Sequence, residues 1–318
     1  RPTPARPTPA RPTPARPTPA RPTPARPTPA RPTPARPTPA RPTPARPTPA
    51  RPTPARPTPA RPTPARPTPA RPTRRPPPLV QGTDCSNIKD LFPTAASGVY
   101  LIQPLGFNVP FKVFCRMLPD GGWTVFQRRT GGAVSFDRKW AEYKHGFGSP
   151  RKDHWLGLCK VYAITKTRRW TMKVSVRDFE GGEAYAEYDD FKLGGLRSSY
   201  KLSVGNYRGN AGDAIRGGSD GADQNGFGFS TKDVDTDGCS PCFFGDIAVN
   251  KCTSFMGGGW WYSRCGSASL NGDWHPAGEN RGWASGLHWL TWRGPGPYSA
   301  SASRMMFKAM KDNTSGSF

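Results

Sequence analysis

The first 78 residues of this 318-residue chain contain no aromatic side chain, no cysteine and no carboxylate. With nothing to bury they have no core to fold around, and their 17 arginines have no internal counter-charge. Residues 1–70 are 14 identical copies of RPTPA, and a degenerate copy, RPTRRPPP, runs on to Pro78. Proline fixes φ and removes the amide donor, so residues 1–78 are expected to form a disordered, polyproline-II-like tail. It lacks heptads and Gly-X-Y triplets, which excludes a coiled-coil or collagen stem within it. Charge alone would draw it to polyanions or anionic membrane, but without rings to stack on bases it reads first as a solvated spacer. Thr beside Pro in every repeat also fits an O-glycosylated stalk. The whole chain lacks a run of about 20 apolar residues, which excludes a membrane-spanning helix. It begins with Arg instead of Met and so reads as processed or incomplete.

Residues 79–318 hold every aromatic, every acid and all seven cysteines, which is enough chain for one large domain with a buried interior. The formal charge of +24 is mostly the tail's, since this part carries 29 basic against 22 acidic residues. Seven cysteines and the sequon Asn313-Thr314-Ser315 point to an oxidising, secreted setting. Alternating apolar residues predict half-buried antiparallel strands in GGWTVFQRR (121–129), RRWTMKVSVRDF (168–179), EAYAEYDDF (183–191) and SYKLSVGNY (199–207). Phe136, Trp140, Tyr143 and Phe147 fall on one face of a helix, and a second short helix is expected in DHWLGLCKVYAIT (153–165). Beyond residue 205 periodicity disappears and glycine is abundant, which predicts a loop-rich subdomain running to the end and makes it the place to look for a binding site.

STKDVDTDG (230–238) sets aspartates at alternate positions before a glycine. Counted as an EF-hand loop from Asp233, positions 3, 5 and 6 fit, but position 12, which needs a bidentate Glu, is Phe244, and no flanking helical pattern is present. Asp235 and Asp237, two apart in an irregular loop, can still turn two carboxylates to one side while nearby carbonyls add oxygens, so the expectation is calcium in a loop that is not an EF-hand. GGSDG (217–221) matches a nucleophile elbow, but without a strand before Ser219 or a helix after it the match carries nothing. CSPC (239–242) lacks the βαβ setting of a redox site, and the distant histidines do not complete a zinc site. A local Cys239–Cys242 disulfide is the preferred reading, with free thiols the alternative. Cys159 is left unpaired, as a small buried residue or a link between chains. His145, His154, His275 and His288 stand apart from any carboxylate or Cys at catalytic spacing, so no enzyme is expected, and an oxidoreductase using Cys239 and Cys242 ranks last.

The motifs DCSNI (84–88), SGVYLI (97–102), PFKVFC (110–115), DGGWTVFQRR (120–129), WLGL (155–158), RDFEG (177–181), YKLSVGNYRGNAGD (200–213), STKDVDTD, GGGWWYSRC (257–265) and LNG (270–272) occur in one order. Together they resemble the fibrinogen-related domain over residues 84 to 311. The resemblance implies an α+β fold with an N-terminal disulfide subdomain, a central twisted antiparallel sheet with short helices and a loop-rich C-terminal calcium and binding subdomain. It implies the pairs Cys85–Cys115 and Cys252–Cys265, and Ca2+ held by the side chains of Asp235 and Asp237 and the backbone carbonyls of Cys239 and Pro241. The insertion GCSPCFFGDIAVNKC (238–252) starts inside that loop.

Ficolin-like lectins of the family hold acetyl groups in a pocket beside the calcium site, shaped by a cis bond that would here be Arg264–Cys265. The matching positions are Met256, Arg264, Cys265, Gly266, Trp283 and Ala284. Here Gly266 stands in place of a His, and Met256, Trp283 and Pro295 in place of tyrosines, which removes most of the polar definition an acetyl group needs. The expectation is therefore a secreted, non-enzymatic recognition protein of the angiopoietin-like and fibrinogen-like kind. Its partner would be a protein receptor or matrix component, with neither nucleic acid nor a membrane span involved. Recognition of acetylated glycans is the alternative. Trp260, Trp261, Tyr262, Trp274 and Trp283 cluster in the loop-rich part; most should pack its core, and one or two exposed rings would suffice as anchors.

Overall fold

A computed structural model describes residues 81–311, apart from 219, 220, 245, 246, 283, 284 and 295 and the side chains of 244 and 247. The tail 1–78, Ser219, Trp283, Ala284, Pro295 and the sequon therefore lie outside the described residues. In chain order the helices are α1 (Cys85–Leu91), α2 (Trp140–His145), α3 (Leu158–Thr165), a 3-10 turn (Leu196–Ser198) and α4 (Thr253–Met256). The strands are β1 (Gly98–Ile102), β2 (Phe111–Leu118), β3 (Gly121–Arg129), β4 (Phe147–Gly148), β5 (His154–Trp155), β6 (Trp170–Arg177), β7 (Glu183–Tyr188), β8 (Lys192–Leu193), β9 (Leu202–Ser203) and β10 (Tyr207–Gly209). They are followed by β11 (Cys242–Phe244), β12 (Ile247–Val249), β13 (Ala268–Ser269), β14 (His288–Trp289) and β15 (Ala302–Ala309).

The central sheet runs β1-β2-β3-β15-β6-β7-β10, with antiparallel neighbours throughout. Asp84 starts α1 by accepting the Asn87 amide at 3.0 Å, and its carboxylate also meets Arg168 at 2.9 Å. Cys85 then bridges this helix to Cys115 on β2.

Three sequence expectations are corrected. The aromatic helix is only Trp140–His145, because Gly146 (φ +96°) turns the chain out of it. Phe136 and Phe147 flank that short helix and meet edge to face at 4.9 Å. The stretch 199–207 is not one strand: it opens with Ser199 and Tyr200 at left-handed φ near +50°, and it holds only β9 and the first residue of β10, which lie in different sheets. And the C-terminal third is not loop-rich to its end: β15 returns to the middle of the sheet, between β3 and β6.

β15 also explains how the sheet addresses its two sides. Its register against β3 slips between Met305 and Met306, so that Met305 faces Gln127 and Met306 faces Val125. Phe126 is the extra residue of a β-bulge. Ahead of it Trp123 and Val125 join Met306 in a small outer cluster, while Phe126 packs with Phe191 and Phe307 in the main core. Past the bulge the alternation is offset by one, so Gln127 and Arg129 point inward and are buried, and Arg128 points outward.

Candidate functional site

The inward pair from β3 braces the loops that follow. Gln127 Nε2 donates to Leu270 O (2.9 Å), Asn271 Oδ1 (3.2 Å) and Ser303 Oγ (3.0 Å). Arg129 donates to Gly272 O at 2.7 Å with its guanidinium 4.1 Å from the Phe136 ring centre. Burial lowers its pKa to about 10, still charged at neutral pH. Asn271 in turn donates to Gly259 O at 2.9 Å. The Gly259 amide donates to Tyr143 Oη (2.9 Å), and a Cβ at Gly259 would stand 2.6 Å from the Phe229 ring. Trp260, Trp261 and Tyr262 are fully buried, with Trp261 Nε1 donating to Tyr200 O at 2.9 Å. They pack the interior, and Trp274 is half-buried with its Nε1 on Ser301 O, so none of these four is an exposed anchor.

Against this wall sits the aspartate loop. Ser230 bridges Trp260 through the backbone, its Oγ accepts the Thr236 amide at 2.9 Å, and Gly238 donates to Ser263 O at 2.6 Å. Asp233 is engaged elsewhere, accepting from the Trp140 amide and the Thr231 hydroxyl at 2.8 Å each. Asp235 and Asp237 come together: Asp235 Oδ1 lies 3.3 Å from the Asp237 amide. The Asp237 carboxylate accepts from the amides of Cys239 (3.2 Å) and Cys252 (2.9 Å), which ties the loop to the far end of the insertion. Burial raises the Asp237 pKa, and the neighbouring Asp235 charge adds to the rise. No Lys or Arg among the described residues pairs with either carboxylate. Two adjacent carboxylates without a cationic partner are a donor set that fits a hard divalent ion.

The insertion folds into the hairpin β11–β12, rooted by the Cys239–Cys242 bridge and flanked by Cys252–Cys265. The four sulfurs lie within 4.8 Å of one another. Spacing alone does not reveal this, because Cys252 and Cys265 are delivered by the chain beyond the hairpin. With both pairs oxidised no thiolate is left to bind a metal. The hairpin also holds Phe243, 62 % exposed, which the sequence reading missed. The available signal was an apolar residue directly after a cross-linked CxxC.

The acetyl-pocket positions are arranged differently from what the resemblance implies. The Arg264–Cys265 bond is trans; among the described residues the cis bond is Ser240–Pro241. Cys265 (φ +65°) and Gly266 (φ +72°) make the turn through left-handed backbone instead. The space a side chain at 266 would need is occupied by the fully buried Gln224, which donates to Ala268 O at 2.9 Å. Met256 and Cys265 are buried, so of the described positions only Arg264 and Gly266 reach the surface.

Residues 81–310 match the family described as fibrinogen beta and gamma chains, C-terminal globular domain. The chain belongs to the fibrinogen C-terminal domain family. It is 41 % identical over 228 residues to angiopoietin-4 of Homo sapiens, covering 71 % of this chain and 42 % of that protein, so it spans less than half the length of that relative. The fibrinogen-like globe domain of human ANGPTL6 is similar at 36 % identity with a TM-score of 0.63, over 72 % of this chain and 95 % of that one. A lamprey fibrin D-dimer complexed with the peptide Gly-His-Arg-Pro-amide is similar at 29 % identity and TM-score 0.62, over 74 % of this chain and 79 % of that one. The fibrinogen-like domain here is thus of the angiopoietin-like branch.

Proposed function

We propose that this fibrinogen-like domain is a secreted, non-enzymatic recognition module that binds a protein receptor or matrix component through the face formed by the aspartate loop and the β11–β12 hairpin. The observation that carries the reading is Phe243, an exposed ring on a hairpin that two adjacent disulfides hold, next to the paired carboxylates. A rigidly held aromatic loses little conformational freedom on binding and anchors a partner well. Likeness to the angiopoietins and to a fibrin chain seen with a peptide supports a protein or peptide as the partner. The test is saturable binding of the full chain to cells and deposited matrix. Phe243→Ala lowers affinity tenfold or more with Tm unchanged; equal binding by both proteins refutes the site.

Calcium is the proposed cofactor of that face. The carboxylates of Asp235 and Asp237, with the carbonyls of Cys239 and Pro241, would hold the ion, which supplies counter-charge to the loop. The sign follows from the raised Asp237 pKa. A carboxyl whose folded pKa is raised favours the fold while protonated and loses that contribution as pH rises through the folded value, so at neutral pH the bare pair opposes folding. Calcium at a hundredfold excess over Kd should therefore raise Tm by roughly 5 to 10 °C over a chelated sample. Asp235→Asn should be more stable than wild type in chelator and lose the calcium increment. Identical melting with and without the ion in both proteins would remove calcium from the account. Acetylated glycans remain the lesser reading, opposed by Gln224 beneath Gly266; retention on an acetylated resin with release by free acetyl compounds would reverse that order.

A further inference from the structure

The bulge at Phe126 has a second outcome on the opposite side of the sheet. Arg128, turned outward, lies directly across the ladder from Arg304 of β15. Both line an open groove of about 430 Å³, with Arg116 of β2 and with Lys173 and Arg177 of β6. Like charges directly opposite each other on one sheet face destabilise it. Glu183 also lines the groove, but among the described residues no carboxylate forms an ion pair with Arg116, Arg128 or Arg304. Glu183 is 3.7 Å from Arg177, Glu187 is held by Lys173 (3.0 Å) and Arg208 (2.8 Å), and Asp120 by Lys308 (2.6 Å). Among the described residues Arg116, Arg128 and Arg304 form no ion pair and no side-chain hydrogen bond, and Arg128 Nε is buried without a partner. Burial, then the neighbouring Arg116 and Arg128 charges, lower the Arg304 pKa to about 10, with the Glu183 carboxylate opposing the fall.

We propose that this groove binds the sulfate groups of a linear sulfated polysaccharide through Arg116, Arg128 and Arg304. Each guanidinium offers a planar fork of donors that matches a tetrahedral oxyanion. Strands lie about 4.8 Å apart, so the cations from β2 through β3 and β15 to β6 span roughly 14 Å. That length suits a ligand with anionic groups along a chain, not one isolated phosphate. Single-stranded nucleic acid also carries charge along a chain, but it needs ring faces for its bases. Trp123 is buried with Lys308 over it at 4.8 Å and Phe114 lies under Arg128 at 5.6 Å; Tyr185, 39 % exposed with Lys173 over it at 4.4 Å, is a single ring and not the row of ring faces that successive bases need.

The test is thermal unfolding of the full chain at fixed ionic strength in chloride, in millimolar sulfate, with a heparin-derived tetrasaccharide and with an oligodeoxythymidylate of equal charge. Wild type is compared with Arg304→Gln, Arg116→Gln and, as a control away from the groove, the exposed Arg197→Gln. The tail arginines are common to all four proteins, so their affinity for polyanions cancels. In chloride, Arg304→Gln melts higher than wild type because like-charge repulsion is relieved. The tetrasaccharide raises wild-type Tm by roughly 5 to 10 °C at a hundredfold excess over Kd, and inorganic sulfate raises it less. Either groove variant loses most of that rise, and Arg197→Gln keeps it. A full rise retained in both groove variants overturns the site. A rise with sulfate but none with the tetrasaccharide, or an equal rise with the oligonucleotide, overturns the polysaccharide.

Discussion

In the central sheet, β15 pairs with β3 and β6 along nearly its whole length, and burial there rests on a regular ladder. Between residues 210 and 301 the described strands are two or three residues long, yet Trp260, Trp261, Tyr262 and Leu270 are as fully buried as any sheet residue. The loops reach that burial through side chains that stand in for a ladder: Gln127 and Arg129 on Leu270 and Gly272, Asn271 on Gly259, Tyr143 on Gly259, Asp237 on Cys252. A loop in a dry interior needs partners for its amides and carbonyls, and here the sheet and helix supply them. The two regions therefore differ in what a single substitution removes.

The largest expected effect is at their junction. Trp261→Ala deletes a buried indole that meets Trp155, Phe229 and Trp260, and should cost about 3 to 5 kcal/mol in denaturant unfolding. If the loops unfolded on their own, two transitions would appear instead of one lowered midpoint. Next come the cross-links. In the chain-entropy picture, losing Cys85–Cys115, which closes 30 residues, costs about 3.7 kcal/mol, whereas Cys239–Cys242, which closes three, costs about 1.6 kcal/mol. Serine pairs at each bridge should reproduce that order, with the second pair losing partner binding before stability.

A slightly smaller effect than loss of the first bridge tests the sheet edge by pH. His154 on β5 is 5 % exposed, and desolvation lowers its pKa from 6.5 to about 4. Its neutral form belongs to the fold, so its full contribution is present above pH 6.5 and is lost as pH falls toward 4, by about 3 kcal/mol in all. Unfolding measured at pH 7 and pH 5 should show that slope in wild type and a shallower one in His154→Asn.

The motifs and the alternation in 121–129, 168–179 and 183–191 were enough to place β3, β6 and β7 and the family, because period-two patterning and short-range motifs are local properties. Sequence also isolated Asp235 and Asp237 and the CxxC. It could not show that Asp233 is diverted to Trp140, that Gln224 fills the space beside Gly266, or that four cysteines converge, since each depends on how separate stretches of chain, from about 10 to about 90 residues apart, are folded against one another.

Composition determined that a basic, proline-spaced segment adjoins a cysteine-bearing domain with an acidic loop, and the resemblance carried by its motifs implied the α+β fold. Tertiary structure alone decided the directions in which side chains point. One extra residue at Phe126, forced by the register of a strand some 180 residues later, sends Gln127 and Arg129 into the loops and Arg128 out beside Arg304. Side-chain direction in a strand has period two, so a single bulge reverses it, and the partner strand that creates the bulge is invisible to local pattern.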